Sequence, residues 1–582
     1  MQLLKRAFQL WLSLSAISPV LAQQPYSAGQ DNSTQTALTP EVRKFIEDTR
    51  INSTAAGISV AVIHSDGRVE LEGFGKSSEE GNNMTADTLV VIGSTSKAFA
   101  SASIGILMDD FAHGRNVTPL PNGLEILDWH TKLKDILPDD WKLMDEWASE
   151  KASIRDILSH VSGLSRHDLQ FQQNDSTQDI TRRLQYLRPS WELREQYHYN
   201  NQMYMVATYI VSLYSNLSYP DFVKERIFKP LGMSTSTFRQ AEASQSGLLA
   251  QFFDANGRRI PFPYPEYAED MIAGPGGVIS SARDLAKWVA MLLNEGVDPI
   301  TNKTILPKSV FEEVTSGWSL ISSMGLALGQ PLSAYGHGWI RYSLYDHEIV
   351  EHDGGLPGAE TRVGFLPDDG VGVVILFNTS DKTDQTASIF LRILEQLLKI
   401  PGPAPGTDAA SVFPELVKVQ GRATGGADEE LPIEAYAGVY YNPGYYNITL
   451  CPATVPSKAE NTICKDTLEA FSYFEDVSAS NDTLYVALSS LWTQQSRLHR
   501  VDGNRFQLRL TYLFPHGYGN DTSPFELTYY NGFNSNVTFV VEDNNLVTGF
   551  ALDSFDVEGV VQRKKGNGSI EEKADVWFDK IL

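Results

Sequence analysis

The chain has 582 residues with a composition typical of globular proteins, which predicts two to four domains and a large buried core. Its formal net charge of −25 argues against nucleic acid or an anionic membrane surface as a partner. After the N-terminal segment, no stretch carries the roughly 18 uninterrupted apolar residues that a membrane span needs.

The N-terminus resembles a secretory signal peptide covering residues 1–22. Lys5 and Arg6 precede an apolar run, and Val20-Leu21-Ala22 fits a cleavage site. We therefore expect a secreted, extracellular protein whose residues 23–40 form a flexible leader. N-x-[S/T] triplets recur along the chain and favour a eukaryotic glycoprotein. The candidate glycosylation sites are Asn32, Asn52, Asn83, Asn116, Asn174, Asn216, Asn302, Asn378, Asn447, Asn481, Asn520, Asn536 and Asn567.

The first 400 residues combine helical and strand-like patterns. A sheet built from both ends of this segment, with helices inserted between them, predicts one α/β domain over residues 41–400. The predicted elements are a helix beginning near Thr39-Pro40-Glu41, a β-hairpin formed by Gly57–Ile63 and Val69–Phe74, mostly helices from Ser94 to about Leu293, strands at His347–Glu351, Glu360–Leu366 and Gly372–Phe377, and a helix over Asp384–Lys399.

Ser94-Thr95-Ser96-Lys97 lies where an apolar strand-like run gives way to a helix. Residues three apart on a helix share a face, so the Ser94 hydroxyl and the Lys97 amine would enter one cavity. A serine hydroxyl needs a neighbouring base or a strong local field to act as a nucleophile, and a partly buried lysine can supply either. The alternative interpretation is a helix N-cap serine followed by a solvated lysine.

Two further motifs are candidates to converge on this pair. In Tyr199-Asn200-Asn201, a phenol close to an ammonium can act as a general base or proton shuttle, and Asn201 can hold Lys97 and a substrate amide. In His352-Asp353-Gly354-Gly355-Leu356-Pro357-Gly358, at the end of a predicted edge strand, backbone N–H groups can form an oxyanion hole with that of Ser94. The alternatives are a loop rich in tyrosine and asparagine, and a glycine-rich hairpin turn with an exposed histidine.

The last third of the chain has a different pattern. Residues 401–430 open with Pro401-Gly402-Pro403 and are predicted to form a linker. Over residues 431–582, tyrosines, β-branched residues and turn signals recur, which predicts an all-β domain with a barrel as one arrangement. In an oxidising compartment, we expect Cys451 and Cys464 to form one local disulfide. No histidine cluster accompanies them in the sequence, so we expect no metal site and no cofactor.

The three motifs, in this order, resemble those of the serine β-lactamase, DD-peptidase and esterase family, and of its class C branch in particular: S-x-x-K, then Y-x-N, then K-T-G or H-x-G. Leu158–Leu164 is similar to the family's L-[ST]-H-x-S-G-L turn, Ala273–Ser281 to its glycine-rich segment and Tyr335–Trp339 to its Y-G-x-G-W strand. The resemblance covers roughly residues 40–400. It implies a secreted eukaryotic, fungal member with an antiparallel sheet flanked by a helical region, followed by a smaller β-rich domain.

The resemblance also implies a role for each motif residue. Ser94 would be the acylated nucleophile, and Lys97 and Tyr199 would share the proton transfers, with the choice of base between them left open. Asn201 would orient Lys97 and the substrate. The N–H groups of Ser94 and Gly355 would hold the oxyanion. The substrate would also be contacted by His352, Asp353 and Gly354.

One position departs from the β-lactamase pattern. His352 stands where β-lactamases usually carry lysine, so the permanent cation for a substrate carboxylate is missing. The neighbouring Asp353 adds negative charge if its side chain faces the cleft. These two residues argue against efficient β-lactam hydrolysis and resemble the pattern of the family's esterases, aminopeptidases and D-amino-acid peptidases.

We therefore expect a secreted serine hydrolase that cleaves a small-molecule ester or amide through an acyl-enzyme. One alternative is an acyltransferase, or a cyclising or hydrolytic enzyme of a secondary-metabolite pathway, because an alcohol or amine can also accept the acyl group. Another alternative is a non-catalytic binding protein on the same scaffold. The sequence leaves the oligomeric state open.

Overall fold

An antiparallel sheet and a β-barrel organise the part of the chain that the structure describes. The computed structural model describes residues 36–322, 332–400, 431–453, 462–479, 482–528, 534–553 and 567–582. The expected signal peptide, most of the leader and the linker at 401–430 lie outside these residues, as do the candidate glycosylation sites Asn32 and Asn481. Ala37–Leu582 form one unit of the chain.

The strands before residue 400 form one large sheet and two short ribbons. They are β1 (Gly57–Ile63), β2 (Val69–Gly75), β3 (Val90–Val91), β4 (Phe252–Phe253), β5 (Arg259–Ile260), β6 (Ile279–Ser280), β7 (Ser319–Ser322), β8 (Ser333–Tyr335), β9 (Ile340–Leu344), β10 (His347–Leu356), β11 (Ala359–Leu366) and β12 (Val371–Phe377). The large sheet has the order β2-β1-β12-β11-β10-β9-β8-β7, and each neighbouring pair is antiparallel. The prediction of a sheet built from both ends of this segment is confirmed.

The helices before residue 400 are α1 (Pro40–Asn52), α2 (Lys97–Ala112), α3 (Leu133–Ile136), α4 (Glu146–Lys151), α5 (Ile154–Leu158), α6 (Thr177–Arg183), α7 (Asn201–Ser215), α8 (Tyr219–Val223), α9 (Lys229–Leu231), α10 (Gln240–Gln245), α11 (Glu269–Gly276), α12 (Ala282–Leu293), α13 (Lys308–Thr315) and α14 (Thr383–Leu398). Helices α1 and α14 pack on one face of the large sheet, and α12 packs on the other. In β1, Val60 belongs to the core shared with α1 and α14, whereas Ala61 belongs to the core on the α12 side. No helix in the described ranges is long and apolar enough to span a membrane.

The predicted elements agree with these bounds, except that β10 is longer than expected. The Thr39 side chain caps α1 by accepting a hydrogen bond from the Val42 N–H, as the Thr-Pro start signal predicts. The strand predicted to end at Glu351 continues through Leu356, because its pairing with β11 extends to Ala359. His352–Leu356 of the third motif therefore lie in a strand, and only Pro357 and Gly358 form the hairpin turn that leads to β11.

The C-terminal strands close into a barrel. They are β13 (Gly438–Asn442), β14 (Tyr446–Pro452), β15 (Thr483–Ala487), β16 (Gln495–Asp502), β17 (Arg505–Phe514), β18 (Phe525–Thr528), β19 (Asn534–Val541), β20 (Val547–Asp553) and β21 (Val576–Lys580), with helices α15 (Thr462–Phe471) and α16 (Ile570–Lys573). Their order is β16-β15-β14-β13-β21-β20-β19-β17, and pairing of β17 with β16 closes an eight-stranded ring, with β18 added beside β17. The disulfide joins Cys451 of β14 to Cys464 of α15, as predicted.

The candidate glycosylation sites differ in exposure. Asn378 is fully buried, and its Nδ2 donates hydrogen bonds to the carbonyl oxygens of Lys76 and Gln251, at 3.2 and 3.0 Å. A glycan would have to be attached to this nitrogen, so the prediction for Asn378 is wrong. The exposed candidates, which stay predictions, are Asn52, Asn83, Asn116, Asn174, Asn216, Asn302, Asn447, Asn520, Asn536 and Asn567.

A buried ion pair joins β10 to β11 directly before the third motif. Nη1 of Arg362 donates to both carboxylate oxygens of Glu351, at 2.6 and 2.5 Å. The two side chains are only 4% and 2% exposed. Either charge would be strongly destabilised if it were buried here without its partner. The ion pair therefore helps to hold β10 and β11 together.

Removing one partner of this pair tests its importance for stability. Glu351→Ala leaves the Arg362 guanidinium buried and unpaired, so we expect the free energy of unfolding to fall by about 3–5 kcal/mol. The matched control is Glu348→Ala, which breaks the half-buried Arg341–Glu348 pair of the same sheet and costs about 1 kcal/mol or less. Chemical denaturation of the full chain, followed by circular dichroism, measures both. Equal losses in the two variants would contradict the burial argument.

Candidate active site

The first motif forms a turn that leads directly into α2. Gly93–Ser96 is a 3-10 turn, and Lys97 is the first residue of the helix. Nζ of Lys97 donates to Ser94 Oγ at 3.1 Å and to the Pro275 carbonyl oxygen at 2.8 Å. Lys97 has no exposed surface, whereas Ser94 is half-buried. The two side chains therefore share one cavity, and the alternative of a solvated lysine is wrong.

The second motif brings a phenol to this pair. Asn200 caps α7, with its side chain accepting a hydrogen bond from the Met203 N–H, and Tyr199 precedes it. The centroid of the Tyr199 ring lies 4.6 Å from Nζ of Lys97. This motif is therefore part of the site and not an unrelated polar loop.

Asn201 has a different partner from the one expected. Its Nδ2 donates to Oδ2 of Asp168 at 2.9 Å, and its Oδ1 has no hydrogen-bond partner among the described residues. The hydrogen bonds of Lys97 Nζ go to Ser94 Oγ and to the Pro275 carbonyl oxygen, and none joins it to Asn201. The predicted contact between Asn201 and Lys97 is therefore absent from this structure, because Lys97 donates to the Pro275 carbonyl and Asp168 orients the amide.

The third motif approaches Ser94 through its backbone. A Cβ added to Gly354 would lie 2.1 Å from the Ile92 carbonyl oxygen and 2.9 Å from the Ser94 nitrogen, distances that only glycine permits. A Cβ added to Gly93, whose φ is +53°, would lie 3.0 Å from the Gly355 nitrogen. This close approach brings the segments that carry the Ser94 and Gly355 N–H groups side by side, as the oxyanion-hole prediction requires.

His352 is a buried, neutral side chain. Its Nε2 accepts a hydrogen bond from the Tyr335 hydroxyl at 2.9 Å, and its Nδ1 donates to the Asp353 carbonyl oxygen at 2.5 Å, which fixes the tautomer. Burial lowers the pKa of His352 to about 4, although the Asp353 carboxylate opposes this shift. The alternative interpretation, with an exposed histidine, is wrong. Asp353 itself has a side chain that is 38% exposed.

Burial also shifts the pKa values of the Lys97 amine and the Tyr199 phenol. It lowers the pKa of Lys97 well below the usual lysine value, and the Arg166 guanidinium lowers it further, while Asp168 and Asp353 oppose both effects. Burial raises the pKa of the Tyr199 phenol well above its usual value, although a hydrogen bond with Ser94 and the charge of Arg166 oppose this shift. The site therefore favours a neutral amine beside a neutral phenol.

Four residues that contact the site had no predicted role. Arg166 and Asp168 form an ion pair of 2.6 Å, and the Arg166 guanidinium lies 5.6 Å from the Tyr199 ring centroid. Pro275 and Tyr335 lie in the glycine-rich segment and the Y-G-x-G-W strand, so the resemblance pointed to their segments. Arg166 and Asp168 belong to no motif, and no sequence signal identifies them.

The turn that resembles L-[ST]-H-x-S-G-L packs its His160 ring against Tyr199. The buried His160 ring lies 4.5 Å from the Tyr199 ring and 4.6 Å from the Tyr335 ring, measured between centroids. Nδ1 of His160 accepts a hydrogen bond from the Asn200 N–H at 3.1 Å. These contacts fix the backbone that presents the phenol.

Across the described ranges, no group of three or more histidine, cysteine or carboxylate side chains is arranged to hold a metal ion.

Relatives of this chain are found among hydrolases and penicillin-binding proteins. Unguisins hydrolase ungD' from Aspergillus campestris is 28% identical over 415 residues, covering 68% of this chain and 74% of the relative. Unguisins hydrolase ungD from Aspergillus violaceofuscus is 28% identical over 467 residues, covering 74% and 80%. The octameric penicillin-binding protein homologue from Pyrococcus abyssi covers 88% of this chain and 97% of its own at 20% identity, with a TM-score of 0.52, which shows the fold alone.

A protein-family model also matches this chain. The model described as Beta-lactamase matches residues 42–398, which is more than half of the chain. This range contains all three motifs and the large sheet that carries the third. The chain belongs to the β-lactamase family.

Proposed function

We propose that this protein is a serine hydrolase that cleaves an ester or amide through an acyl-enzyme on Ser94. The observation that carries the proposal is the 3.1 Å hydrogen bond between Lys97 Nζ and Ser94 Oγ, made by an amine with no exposed surface. Burial disfavours the ammonium, so a neutral amine is available to accept the serine proton. The two Aspergillus relatives named as hydrolases of unguisins support hydrolysis over acyl transfer.

The proposed acylation uses the two neutral groups in sequence. Ser94 Oγ attacks the substrate carbonyl carbon while its proton passes to Lys97. Tyr199, whose raised pKa keeps it protonated, gives its proton to the leaving alcohol or amine and takes one back from Lys97. The N–H groups of Ser94 and Gly355 hold the oxyanion. Water then attacks the acyl-enzyme, which releases the acid and restores Ser94.

The charges around the cleft favour a substrate without a carboxylate near the scissile bond. His352 is neutral at pH 7, because its pKa is about 4, so it supplies no fixed cation. The part-exposed Asp353 carboxylate adds a negative charge on the same strand. A neutral ester or amide fits this environment better than an anionic β-lactam does.

We also propose that the protein is secreted. Residues 1–22 have the pattern of a signal peptide, and the Cys451–Cys464 disulfide fits an oxidising compartment. The exposed glycosylation candidates support passage through a eukaryotic secretory pathway.

Replacing the nucleophile tests the proposed mechanism. We expect Ser94→Ala to lower the turnover of p-nitrophenyl acetate by about 1000-fold or more, because the remaining groups cannot form the acyl-enzyme. The matched control is Ser103→Ala on the same helix, whose hydroxyl bonds to the Phe99 carbonyl oxygen and not to the site. Covalent labelling of Ser94 by a fluorophosphonate probe, read by mass spectrometry, checks the same point. Unchanged turnover in Ser94→Ala, or a wild-type Ser94 that no acylating probe labels, would reject the enzyme in favour of a binding protein.

The pH profile of kcat/KM for p-nitrophenyl acetate tests the state of Lys97. Below the pKa of Lys97 the ammonium cannot accept the Ser94 proton, so the rate is lost as the pH falls and rises as the pH increases. Because burial lowers this pKa, we expect the rising limb to be centred well below pH 10.5, after subtraction of spontaneous hydrolysis. A limb centred at pH 10.5 would indicate an ordinary, solvated lysine and contradict the assignment of Lys97 as the base.

Restoring a cation at the third motif tests the substrate preference. We expect His352→Lys to increase the rate of Ser94 acylation by benzylpenicillin roughly tenfold or more, because a charge-assisted hydrogen bond to the substrate carboxylate becomes possible. Turnover of p-nitrophenyl acetate, which has no carboxylate, is the control and should not rise. If the ratio of the two rates does not change, the identity of this residue does not explain the preference.

A further inference from the structure

The segment Arg166–Gln172 lies between the catalytic centre and the barrel. Its only regular structure is the short 3-10 turn Asp168–Gln170. Besides its internal hydrogen bonds, this irregular segment is held in place by contacts with other parts of the chain. Its contacts divide into two sets, one with the catalytic residues and one with the barrel.

The first set of contacts reaches the proton-transfer groups. The pair formed by Arg166 and Asp168, here called the charged pair, has an Nε–Oδ2 distance of 2.6 Å. The same Oδ2 accepts the hydrogen bond from Asn201, and the Arg166 guanidinium lies 5.6 Å from the centroid of the Tyr199 ring. The charged pair therefore orients one motif side chain and lies beside another.

The second set of contacts belongs to the barrel. His167, between the two members of the charged pair, forms a hydrogen bond of 2.6 Å between its Nδ1 and the Tyr445 hydroxyl. Both rings are buried, with exposures of 2% and 5%. The Leu491 N–H donates to the Phe171 carbonyl oxygen at 2.7 Å, and Gln172 forms a β-bridge with Ser490.

We propose that Tyr445 of the barrel is a positioning residue for the active site, acting through His167 on the charged pair. Arg166 and Asp168 are the neighbours of His167 in the chain. Anchoring the His167 ring therefore limits the movement of both charged side chains. This inference rests on the proposed function, because the charged pair matters only if the groups beside it transfer protons. It makes the barrel a part of the catalytic apparatus as well as a packing partner.

The charged pair influences the base electrostatically. The charge of Arg166 lowers the pKa of Lys97, and that of Asp168 raises it by a smaller amount. Loosening the pair should therefore raise the pKa of Lys97 slightly and move the rising limb of the pH profile to higher pH. The titratable and charged groups that face Lys97 from the surrounding elements are Arg166, Asp168, Asp353, His160, His352, Tyr199 and Tyr204.

The test removes one hydroxyl from the barrel. We expect Tyr445→Phe to lower kcat/KM for p-nitrophenyl acetate about fivefold, mainly through kcat, and to shift the rising limb to higher pH, as Arg166→Met also should. The matched control is Tyr440→Phe, which removes a buried barrel hydroxyl that donates to the Tyr436 carbonyl oxygen at 2.7 Å. This control should lose a similar amount of stability in thermal unfolding but keep the wild-type rate and pH profile.

A double-mutant cycle shows whether Tyr445 acts through the charged pair. In an Arg166→Met/Asp168→Asn background, we expect Tyr445→Phe to change kcat/KM less than twofold, because both members of the charged pair that it positions are gone. A fivefold effect in both backgrounds, a wild-type pH profile in Tyr445→Phe, or an equal loss in Tyr440→Phe would overturn the inference.

The two proposals fail in different ways. If Ser94→Ala retains turnover, the proposed function is wrong and the barrel variants carry no information about catalysis. If Ser94→Ala is inactive but Tyr445→Phe behaves as wild type, the serine hydrolase stands and the positioning role of Tyr445 does not.

Discussion

The burial of a lysine amine against a serine hydroxyl is the constraint on which the rest of the site depends. Moving an ammonium from water into a protein interior costs several kcal/mol, so Lys97 is stabilised there chiefly as the neutral amine. The Pro275 carbonyl accepts one of its hydrogens, and aromatic rings surround it. If this position contributed only to stability, an apolar side chain would be expected there. The buried Lys97 beside Ser94 therefore argues for a catalytic role.

The side chains around the Lys97 amine are also uncharged or have their charge balanced by a neighbour. Tyr199 and His352 are both held uncharged by burial, and the Arg166 charge is compensated by Asp168. The part-exposed Asp353 then contributes a negative charge on the strand that borders the cleft. A lysine in place of His352, which β-lactamases usually carry there, would add a positive charge beside this carboxylate. The proposed preference for neutral substrates rests on this difference of one side chain.

The barrel and the catalytic domain meet at irregular segments. Regular elements satisfy their own backbone groups, whereas loops need partners from elsewhere. The segment 166–172 takes those partners from Tyr445 and from the backbone near Ser490 and Leu491. On another part of the contact, Arg258 donates to the side chain of Ser523 and lies over the ring of Phe525. The barrel thus adds contacts to loops of the catalytic domain.

The sequence by itself determined what depends on local order. Periodicity gave the helices and strands, and a spacing of three residues placed Ser94 and Lys97 on one side of a turn, because these patterns follow from backbone geometry. Tertiary structure alone decided that Asp168 takes the Asn201 amide, that the Pro275 carbonyl binds Lys97, that Asn378 is buried, and that Tyr445 reaches His167. Every residue carries a backbone carbonyl, so the sequence does not show which carbonyl will accept a hydrogen bond. Partners that are distant in the chain also have no fixed spacing from which their contact could be predicted. Long-range contacts of this kind are fixed only when the chain packs.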